Sequence, residues 1–525
     1  MNLRTFKVLA AAGTLAVVAA AGCTDTTVQP KSTVTSSNIF NDPSSYQSFL
    51  ARIYAGLAVS GQQGPSGNGD IQGIDEGFSQ YLRLYWECEE LPTDVAVIGW
   101  GDIGLPEMNT MTWTSSSTMV VAMYYRIFVQ ASMANEFLRQ TTDAALASRN
   151  VSAPLKATIQ TYRAEARFLR ALSYWHGIDL FGNIPLVTEA DPVGGAPPKQ
   201  ATRSAIYTYV VNELNAIRTQ LPAAGSSTYG RATTAAADML LAELYLNAGV
   251  YTGTPNYAQA LTSAANVIAA GYTIDPNYRH MFMADNNTSP EMIFPITFDG
   301  NYTQTWGGAT FLMHAACGGS MSASTYGIDY CWGGYRLKPE TYNLFAAGDG
   351  RASYFYTTGQ TVAVTAISDF TKGVAAPKFT NIKSVGGAGV NPTFPDTDFP
   401  MFRLGEAYLI YAEAHVRGGG GTDALALQYM NALRTRAFGN ASANFATISQ
   451  VTLDTILAER GRELLFEGHR RTDLIRFGKF TGGSYIWSWK GGTQAGAATD
   501  AHYNLYPLPA TELVANPNLT QNPGY

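Results

Sequence analysis

Aromatic and polar side chains are concentrated in two segments of the sequence, residues 86–113 and residues 298–335. Both segments place tryptophan or tyrosine within a few positions of aspartate, asparagine or glutamine. A sugar presents an apolar C–H face and a rim of hydroxyl groups, so it is bound by flat aromatic rings with polar groups beside them. We therefore expect ligand contacts from Trp86, Asp94, Trp100, Asp102, Tyr302, Trp306, Tyr330 and Trp332.

A second group of residues has the composition of an acid–base or metal site. Glu459, Glu463 and Glu467 recur every four positions and so share one face of a helix, and His469 and Asp473 follow. Arginines are interspersed with them, and stacked carboxylates repel one another unless cations pair with them. We therefore interpret the group as a structural network of ion pairs. The same interpretation applies to two smaller groups: Arg163, Glu165, Arg167 and Arg170, and Arg403, Glu406 and Glu413.

The composition of the chain and its lack of several known catalytic motifs argue against some classes of function. The sequence has no Gly-x-Ser-x-Gly elbow, no His-Glu-x-x-His pair and no phosphate-binding Gly-x-x-x-x-Gly-Lys-Ser/Thr loop. The net charge is −6 with 14% charged residues and no basic cluster, so nucleic acid is not an expected partner.

The first 22 residues resemble a secretory signal. Arg4 and Lys7 precede an apolar or small stretch over residues 8–21, which is too short for a membrane span. The stretch leads to Ala20-Ala21-Gly22-Cys23, which resembles a bacterial lipobox and predicts a lipidated Cys23 that anchors the chain to a membrane. The alternative is ordinary cleavage near Ala21. Residues 23–40 are polar at first and predict a flexible tether.

Three further cysteines allow one disulfide. Cys317 and Cys331 enclose a loop rich in glycine and serine, and we favour their pairing over a bond from either of them to Cys88.

Helical periodicity predicts eight helices, over residues 118–139, 162–180, 202–217, 232–247, 257–270, 402–417, 424–437 and 453–466. The fourth and fifth form a hairpin that resembles a tetratricopeptide unit, with Gly249 expected to end the first helix and Pro255 excluding helix before itself. Any other antiparallel helix hairpin remains an alternative for this pair.

The predicted fold class is mainly α, a tetratricopeptide-like scaffold of helical hairpins with long loop-rich insertions. We expect a single composite domain over residues 41–525, with helices over 41–275 and 400–480. Repeated Gly-Gly steps among aromatic residues predict an insertion with short strands over 276–399. The proline and asparagine content near the C-terminus predicts an extended segment over residues 481–525.

Several segments, in order along the chain, carry a family resemblance. Residues 163–187, 459–478 and 504–525 resemble conserved segments of the SusD/RagB-type outer-membrane lipoproteins. The family's Arg-Leu-x-Glu-x-Tyr-Leu-x-x-Ala-Glu-Ala helix is matched by Arg403, Leu404, Glu406, Tyr408, Leu409, Ala412, Glu413 and Ala414.

This resemblance implies a function as well as a fold. Proteins of this type lie on the outer membrane, anchored by lipid and facing the exterior. They bind oligosaccharides without catalysis and deliver them to a SusC-type TonB-dependent transporter. The resemblance implies no cofactor, although the sequence leaves calcium binding open.

Three alternatives remain. One is a peptide-binding lid of the same transporter class. Another is a pure tetratricopeptide scaffold, which would leave the aromatic loops unexplained. The third is a secreted glycoside hydrolase, which would need two carboxyls about 5–5.5 Å or about 6.5–9.5 Å apart. The candidate suppliers of those carboxyls are Asp94, Asp102, Asp299 and Asp329.

Overall fold

Helices greatly outnumber strands in the structure, a computed structural model that describes residues 38–525. The signal segment, the lipidation site Cys23 and residues 24–37 of the tether lie outside the described residues. Residues 46–525 form one compact unit.

Seventeen α-helices lie in the described part of the chain. They are α1 Ser45–Ala58, α2 Tyr81–Glu90, α3 Leu105–Thr110, α4 Thr118–Gln140, α5 Asp143–Ser148, α6 Ala153–Phe181, α7 Arg203–Ile217, α8 Thr234–Leu246, α9 Ala248–Thr252, α10 Tyr257–Ile268, α11 Gly308–His314, α12 Pro339–Tyr342, α13 Leu404–Val416, α14 Asp423–Phe438, α15 Leu453–Glu463, α16 Arg470–Arg476 and α17 Ala510–Ala515.

Helical hairpins stack side by side, which confirms the predicted tetratricopeptide-like scaffold. α8 packs against α10, α10 packs against α13, and α13 packs against α14. Ala260 and Ala264 of α10 are fully buried, and such small side chains allow close approach of the neighbouring helices. The connection after α8 differs from the prediction, because residues 248–252 form the short helix α9 beyond Gly249. Gly253 ends it with a φ of 79°.

Two helices that periodicity did not predict are important for the site. Every residue of α2 is buried, including charged ones, so α2 shows no alternation between an apolar and a polar face. α1 also went unrecognised, although its buried residues include Leu50, Ile53 and Leu57. The helix predicted over residues 162–180 begins earlier, at Ala153, with Pro154 in its first turn. Ile159 is the only buried residue of this helix before Tyr162, so this part of the helix has almost no apolar face for periodicity to detect.

Between residues 38 and 525, six short strands pair as three antiparallel two-stranded sheets. Their bounds are β1 Ala96–Ile98, β2 Ile184–Pro185, β3 Gln200–Ala201, β4 Met292–Ile296, β5 Tyr335–Leu337 and β6 Phe399–Arg403. The sheets are β1–β5, β2–β3 and β4–β6. In the first, Val97 lies opposite Arg336, which joins the two segments that sequence analysis selected as ligand-binding.

The stacked carboxylates are buried and paired, which confirms their structural interpretation. Glu459 lies 2.7 Å from Arg351, Glu463 lies 2.7 Å from Arg403, and Glu467 lies 2.6 Å from Lys378. Burial alone would raise the pKa of Glu459, but the guanidinium groups of Arg351 and Arg462 outweigh it and lower that pKa to about 2.

The smaller charged groups are mostly paired as well. Arg167 and Arg170 contact Glu213, Glu165 contacts Arg231, and Glu413 contacts Arg476. Arg163 differs, since it donates to the main-chain oxygen of Leu138 at 2.8 Å instead of forming an ion pair.

Candidate ligand-binding site

Three tryptophans that are distant in sequence form a continuous row. The ring centroids of Trp100 and Trp332 are 6.2 Å apart, and those of Trp332 and Trp306 are also 6.2 Å apart. Successive rings are inclined by 48° and 49°, so the row is not flat. All three side chains are half-buried. We call these three rings the tryptophan platform.

The β1–β5 pair brings Trp100 beside Trp332. Trp100 follows the end of β1, and Trp332 precedes the start of β5. The main-chain nitrogen of Gly99 donates to the oxygen of Gly334 at 3.0 Å, which extends the strand pairing toward both rings. Gly334 is required by the packing, because a Cβ atom at this position would lie 2.7 Å from the indole of Trp100.

A disulfide and α11 hold Trp332 from its other side. The bond joins Cys317 to Cys331, the pairing favoured from the sequence, while Cys88 is a buried free thiol. The main-chain nitrogen of Trp332 donates to the oxygen of His314 at 2.8 Å. The His314 imidazole also stacks on the Trp332 indole with 4.7 Å between centroids. The position of this ring is therefore fixed by covalent, hydrogen-bond and stacking contacts.

Trp306 is fixed by the segment that follows α1. Its main-chain nitrogen donates to Glu76 Oε2 at 2.9 Å, and Ser60 donates to the other oxygen of Glu76 at 2.5 Å. Its ring also packs against Phe394 at 5.1 Å. A Cβ atom at Gly77 would lie 2.8 Å from Trp306, so the close approach depends on glycine.

The prediction for Trp86 was wrong. Its ring is fully buried, and its indole nitrogen donates to the main-chain oxygen of Phe466 at 3.2 Å. The ring contacts Phe311, which in turn contacts Trp100 at 6.0 Å. Trp86 therefore supports the platform from the core, because α2 is enclosed on all sides.

The prediction for Asp94 was also wrong. Its carboxylate is fully buried and forms two 2.7 Å hydrogen bonds to the guanidinium of Arg470. Tyr485 donates to it at 2.6 Å. Burial opposes ionisation, but Arg470 and Tyr485 outweigh it and lower the pKa of Asp94. The carboxylate is thus committed to an internal ion pair and cannot serve as the acid of a glycosidase.

The remaining predicted residues lie on the loops that carry the platform. Asp102 is exposed two positions after Trp100. Tyr330 is 52% exposed and lies 5.8 Å from the ring of His314. Tyr302 is 86% exposed, four positions before Trp306. These side chains are accessible, and their contact with a ligand stays a prediction.

Arg83 is a polar neighbour of the platform that sequence reasoning missed. Its guanidinium lies 5.7 Å from the centre of the Trp100 ring and 4.3 Å from that of Phe311. Its Nε donates to Glu87 at 2.8 Å, while its buried Nη2 has no hydrogen-bond partner among residues 38–525. The only sequence signal was an arginine one helical turn before Trp86, which is too common to indicate a site.

His314 is the second residue that the sequence did not reveal. Its side chain is fully buried, with Nδ1 2.7 Å from the main-chain oxygen of Tyr330 and Nε2 3.0 Å from that of Thr393. Burial lowers the pKa of His314, while these oxygens and Asp329 oppose that shift. The imidazole links α11 to two loops beneath Trp332, so it positions the platform and is too deeply buried to contact a ligand.

One group within the described residues has the geometry of a metal site. Glu243, Glu406 and His469 each offer a ligand atom within 4.8 Å of the others, and all three are buried. Burial and the adjacent Glu243 carboxyl raise the pKa of Glu406 well above its ordinary value. Arg460 lies 3.7 Å from Glu243 and disfavours a cation there. The arrangement suits two carboxyls that share a proton, and we assign it no metal.

No helix over residues 38–525 combines the length and the apolar character that a membrane-spanning helix needs.

The fold and the candidate site together define a class of protein: a tetratricopeptide-like helical scaffold that carries a row of half-buried indoles. A family model described as the SusD family matches residues 356–525. The starch-binding protein SusD of Bacteroides thetaiotaomicron is 36% identical, and the alignment covers 91% of this chain and 92% of that protein. The chain therefore belongs to the SusD family.

Solved structures show the same fold. Surface glycan-binding protein A from Bacteroides thetaiotaomicron, solved in complex with laminarihexaose, superposes with a TM-score of 0.68 at 21% identity. That match covers 91% of this chain and 98% of the other. A laminarin-binding SusD-like protein also has a TM-score of 0.68, at 22% identity over 92% and 99% of the two chains. The proteins named in these comparisons are binding proteins, and the chain, as a member of the same family, is not an enzyme.

Proposed function

We propose that the protein binds oligosaccharides on the tryptophan platform and delivers them to a SusC-type TonB-dependent transporter. The observation that carries this proposal is the row of three half-buried indoles held in fixed positions. Aromatic faces stack on the C–H faces of sugar rings, and a preorganised row avoids the entropic cost of ordering side chains on binding.

The favoured ligand class is an α-glucan of the starch type. The 36% identical relative is named as starch-binding, whereas the laminarin-binding proteins share only 21–22% of residues with this chain. The inclination between successive indoles also favours a curved glycan over a straight, flat one.

A calorimetric titration of the purified protein with maltoheptaose and with laminarihexaose tests the ligand class. We expect measurable binding, tighter for maltoheptaose. Trp332→Ala should weaken it at least tenfold, because the central ring contacts both neighbours and truncation of a central aromatic anchor typically costs ~2 kcal/mol or more. Trp489→Ala is the matched control, since this half-buried indole bonds to the oxygen of Val364, outside the platform.

Two outcomes would contradict the proposal. The first is the absence of binding to any oligosaccharide in a broad panel. The second is saturable binding of a short peptide library by the unaltered protein that Trp332→Ala abolishes, which would favour the peptide-binding alternative.

Anchoring and partnership are a separate part of the proposal. The lipobox-like Ala20-Ala21-Gly22-Cys23 supports a lipid anchor, and the family supports an outer-membrane position facing the exterior. Metabolic labelling with a radioactive fatty acid should mark the unaltered protein and leave Cys23→Ser unlabelled. Cross-linking in the native cells should capture a transporter barrel of the TonB-dependent type.

A further inference from the structure

A pocket separate from the tryptophan platform lies along α1. Its volume is about 350 Å³, within the range of about 300–1,000 Å³ typical of small-molecule sites. The rings of Tyr54, Tyr162 and Tyr229 line it together with alanines of α1. Arg231 and Thr303 are among its polar lining residues. We call it the tyrosine pocket.

The floor of the tyrosine pocket is rigid. The Tyr54 hydroxyl donates to Glu165 at 2.6 Å and accepts from the main-chain nitrogen of Ala232 at 2.9 Å. Arg231 pairs with the same Glu165 and lies over the Tyr162 ring at 5.1 Å. Because Glu165 neutralises Arg231, the pocket carries no unpaired charge from these residues. Such a pocket suits a neutral ligand better than an anion.

Tyr229 is an exposed aromatic residue of the pocket lining. Its hydroxyl already donates to the buried Asp398 at 2.8 Å, yet the side chain is 41% exposed. Gly230 beside it has a φ of 82°, and a Cβ atom there would lie 2.7 Å from Thr297. The loop therefore packs closely against Thr297, which fixes the position of Tyr229. The Tyr229 side chain nevertheless remains accessible.

One chain segment joins the tyrosine pocket to the tryptophan platform. Thr303 lines the pocket, and Trp306 follows three residues later. Three residues span at most about 11 Å, so these two Cα atoms lie within that distance. The exposed Tyr302 belongs to the same segment.

The end of α1 makes a second link. Ala58 lines the pocket, and the main-chain oxygen of the adjacent Leu57 accepts from Gln80 Nε2 at 2.7 Å. The other side-chain atom of Gln80 accepts from the main-chain nitrogen of Gly308 at 2.8 Å, two positions beyond Trp306. The tyrosine pocket and Trp306, at one end of the platform, are thus held by the same two elements, α1 and the segment over residues 302–308.

We propose that the tyrosine pocket is a second subsite, which binds a neutral sugar unit at the end of an oligosaccharide whose other units stack on the tryptophan platform. The inference rests on the proposed function. It gives the protein a preference for longer chains, because only a chain that crosses the segment around Tyr302 reaches both sites.

Chain length separates the two sites experimentally. Calorimetric affinities of the purified protein for maltotriose and maltoheptaose are compared in the unaltered chain, Tyr229→Ala, Tyr229→Phe and Trp332→Ala. Tyr229→Ala should weaken maltoheptaose binding about three- to tenfold, as expected for one lost stacking contact, and leave maltotriose binding unchanged. Tyr229→Phe keeps the ring and should retain both affinities. Trp332→Ala should weaken both ligands.

Ala51→Leu provides an independent test by filling the pocket from α1, and it should reproduce the effect of Tyr229→Ala. Tyr125→Ala is the matched control, because Tyr125 bonds to Thr511 and lines neither site. Equal affinities of Tyr229→Ala and the unaltered protein for maltoheptaose would overturn the subsite, as would an equal loss for both ligands. Absence of binding to both ligands by the unaltered protein would overturn the proposed function and the subsite with it.

Discussion

The indole nitrogen of Trp100 donates a hydrogen bond to the main-chain oxygen of Trp332 at 3.4 Å, although 232 positions separate the two residues. The bond links the loop after β1 to the loop before β5. The fold therefore fixes the position of one ring relative to the other. A ligand that binds the tryptophan platform as proposed would meet a surface that is already formed, which would reduce the entropy lost on binding.

Removal of the disulfide should weaken both the fold and the site. Cys317 and Cys331 are 14 positions apart, and closure of a loop of this size stabilises a protein by about 3 kcal/mol. The double variant Cys317→Ser/Cys331→Ser should lose a comparable free energy of unfolding in urea. It should also bind maltoheptaose more weakly, because Trp332 follows Cys331 directly. Cys88→Ala is the control, and equal stability with and without the disulfide would contradict the prediction.

The change to asparagine should lower the free energy of unfolding at Asp94 and leave it nearly unchanged at Asp102. Asp94→Asn leaves the buried guanidinium of Arg470 without its charge partner, so the free energy of unfolding should fall by about 3–5 kcal/mol. Asp102 is exposed, and Asp102→Asn should leave stability within about 0.5 kcal/mol of the unaltered protein. Urea denaturation measures both. A stable Asp94→Asn protein with impaired glycan binding would instead return Asp94 to the ligand site.

Arg83→Lys should weaken glycan binding only modestly, through the position of Trp100. Lysine retains the positive charge opposite Glu87 but lacks the planar guanidinium that lies beside the rings of Phe311 and Trp100. Arg83 is buried and does not reach a ligand itself, so the dissociation constant for maltoheptaose should rise about two- to fivefold, as expected for a weakened cation–π contact. The melting temperature checks the fold. A loss of more than tenfold in a folded Arg83→Lys protein would contradict this supporting role.

Acid should remove the stabilisation that Glu459 provides. Its ordinary pKa is 4.5 and its pKa in the folded protein is about 2, so the stabilisation is complete above pH 4.5 and is lost as the pH falls toward 2. The difference in free energy of unfolding between the unaltered protein and Glu459→Gln should therefore shrink between pH 5 and pH 2, by roughly 3 kcal/mol.

Asp454→Asn is the control for this measurement. Asp454 lies on the same helix, α15, but its side chain is 81% exposed. The control should differ from the unaltered protein by a small amount that varies little with pH. A constant difference for Glu459→Gln over the same range would contradict the buried ion pairing of Glu459.

Sequence periodicity was most informative where helices have one exposed face. The helix predicted over residues 118–139 spans Thr118–Gln140, and the one predicted over 202–217 spans Arg203–Ile217. The fully buried α2 escaped prediction because burial on all sides removes the alternation that periodicity detects. The same enclosure explains the error at Trp86, since residue type alone does not distinguish a core indole from an exposed one.

For the charged residues too, the sequence showed the local pattern but did not show the distant partners. The spacing of Glu459, Glu463 and Glu467 was enough to predict a paired helix face. Their partners come from distant positions, such as Arg351 and Lys378, and no spacing in the sequence identifies them. The pairing of Asp94 with Arg470 spans 376 positions and escaped prediction for that reason.

By itself, the sequence determined the helical class of the protein, the cysteine pairing it favours and the two aromatic segments, because these depend on local periodicity, loop closure and composition. Tertiary structure decided which aromatic rings meet. Strand pairing between β1 and β5 aligned Trp100 with Trp332, and Glu76 placed Trp306 at the end of the row. These contacts depend on the path of the whole chain, since a ring becomes part of a binding surface only when distant segments leave one of its faces open to solvent.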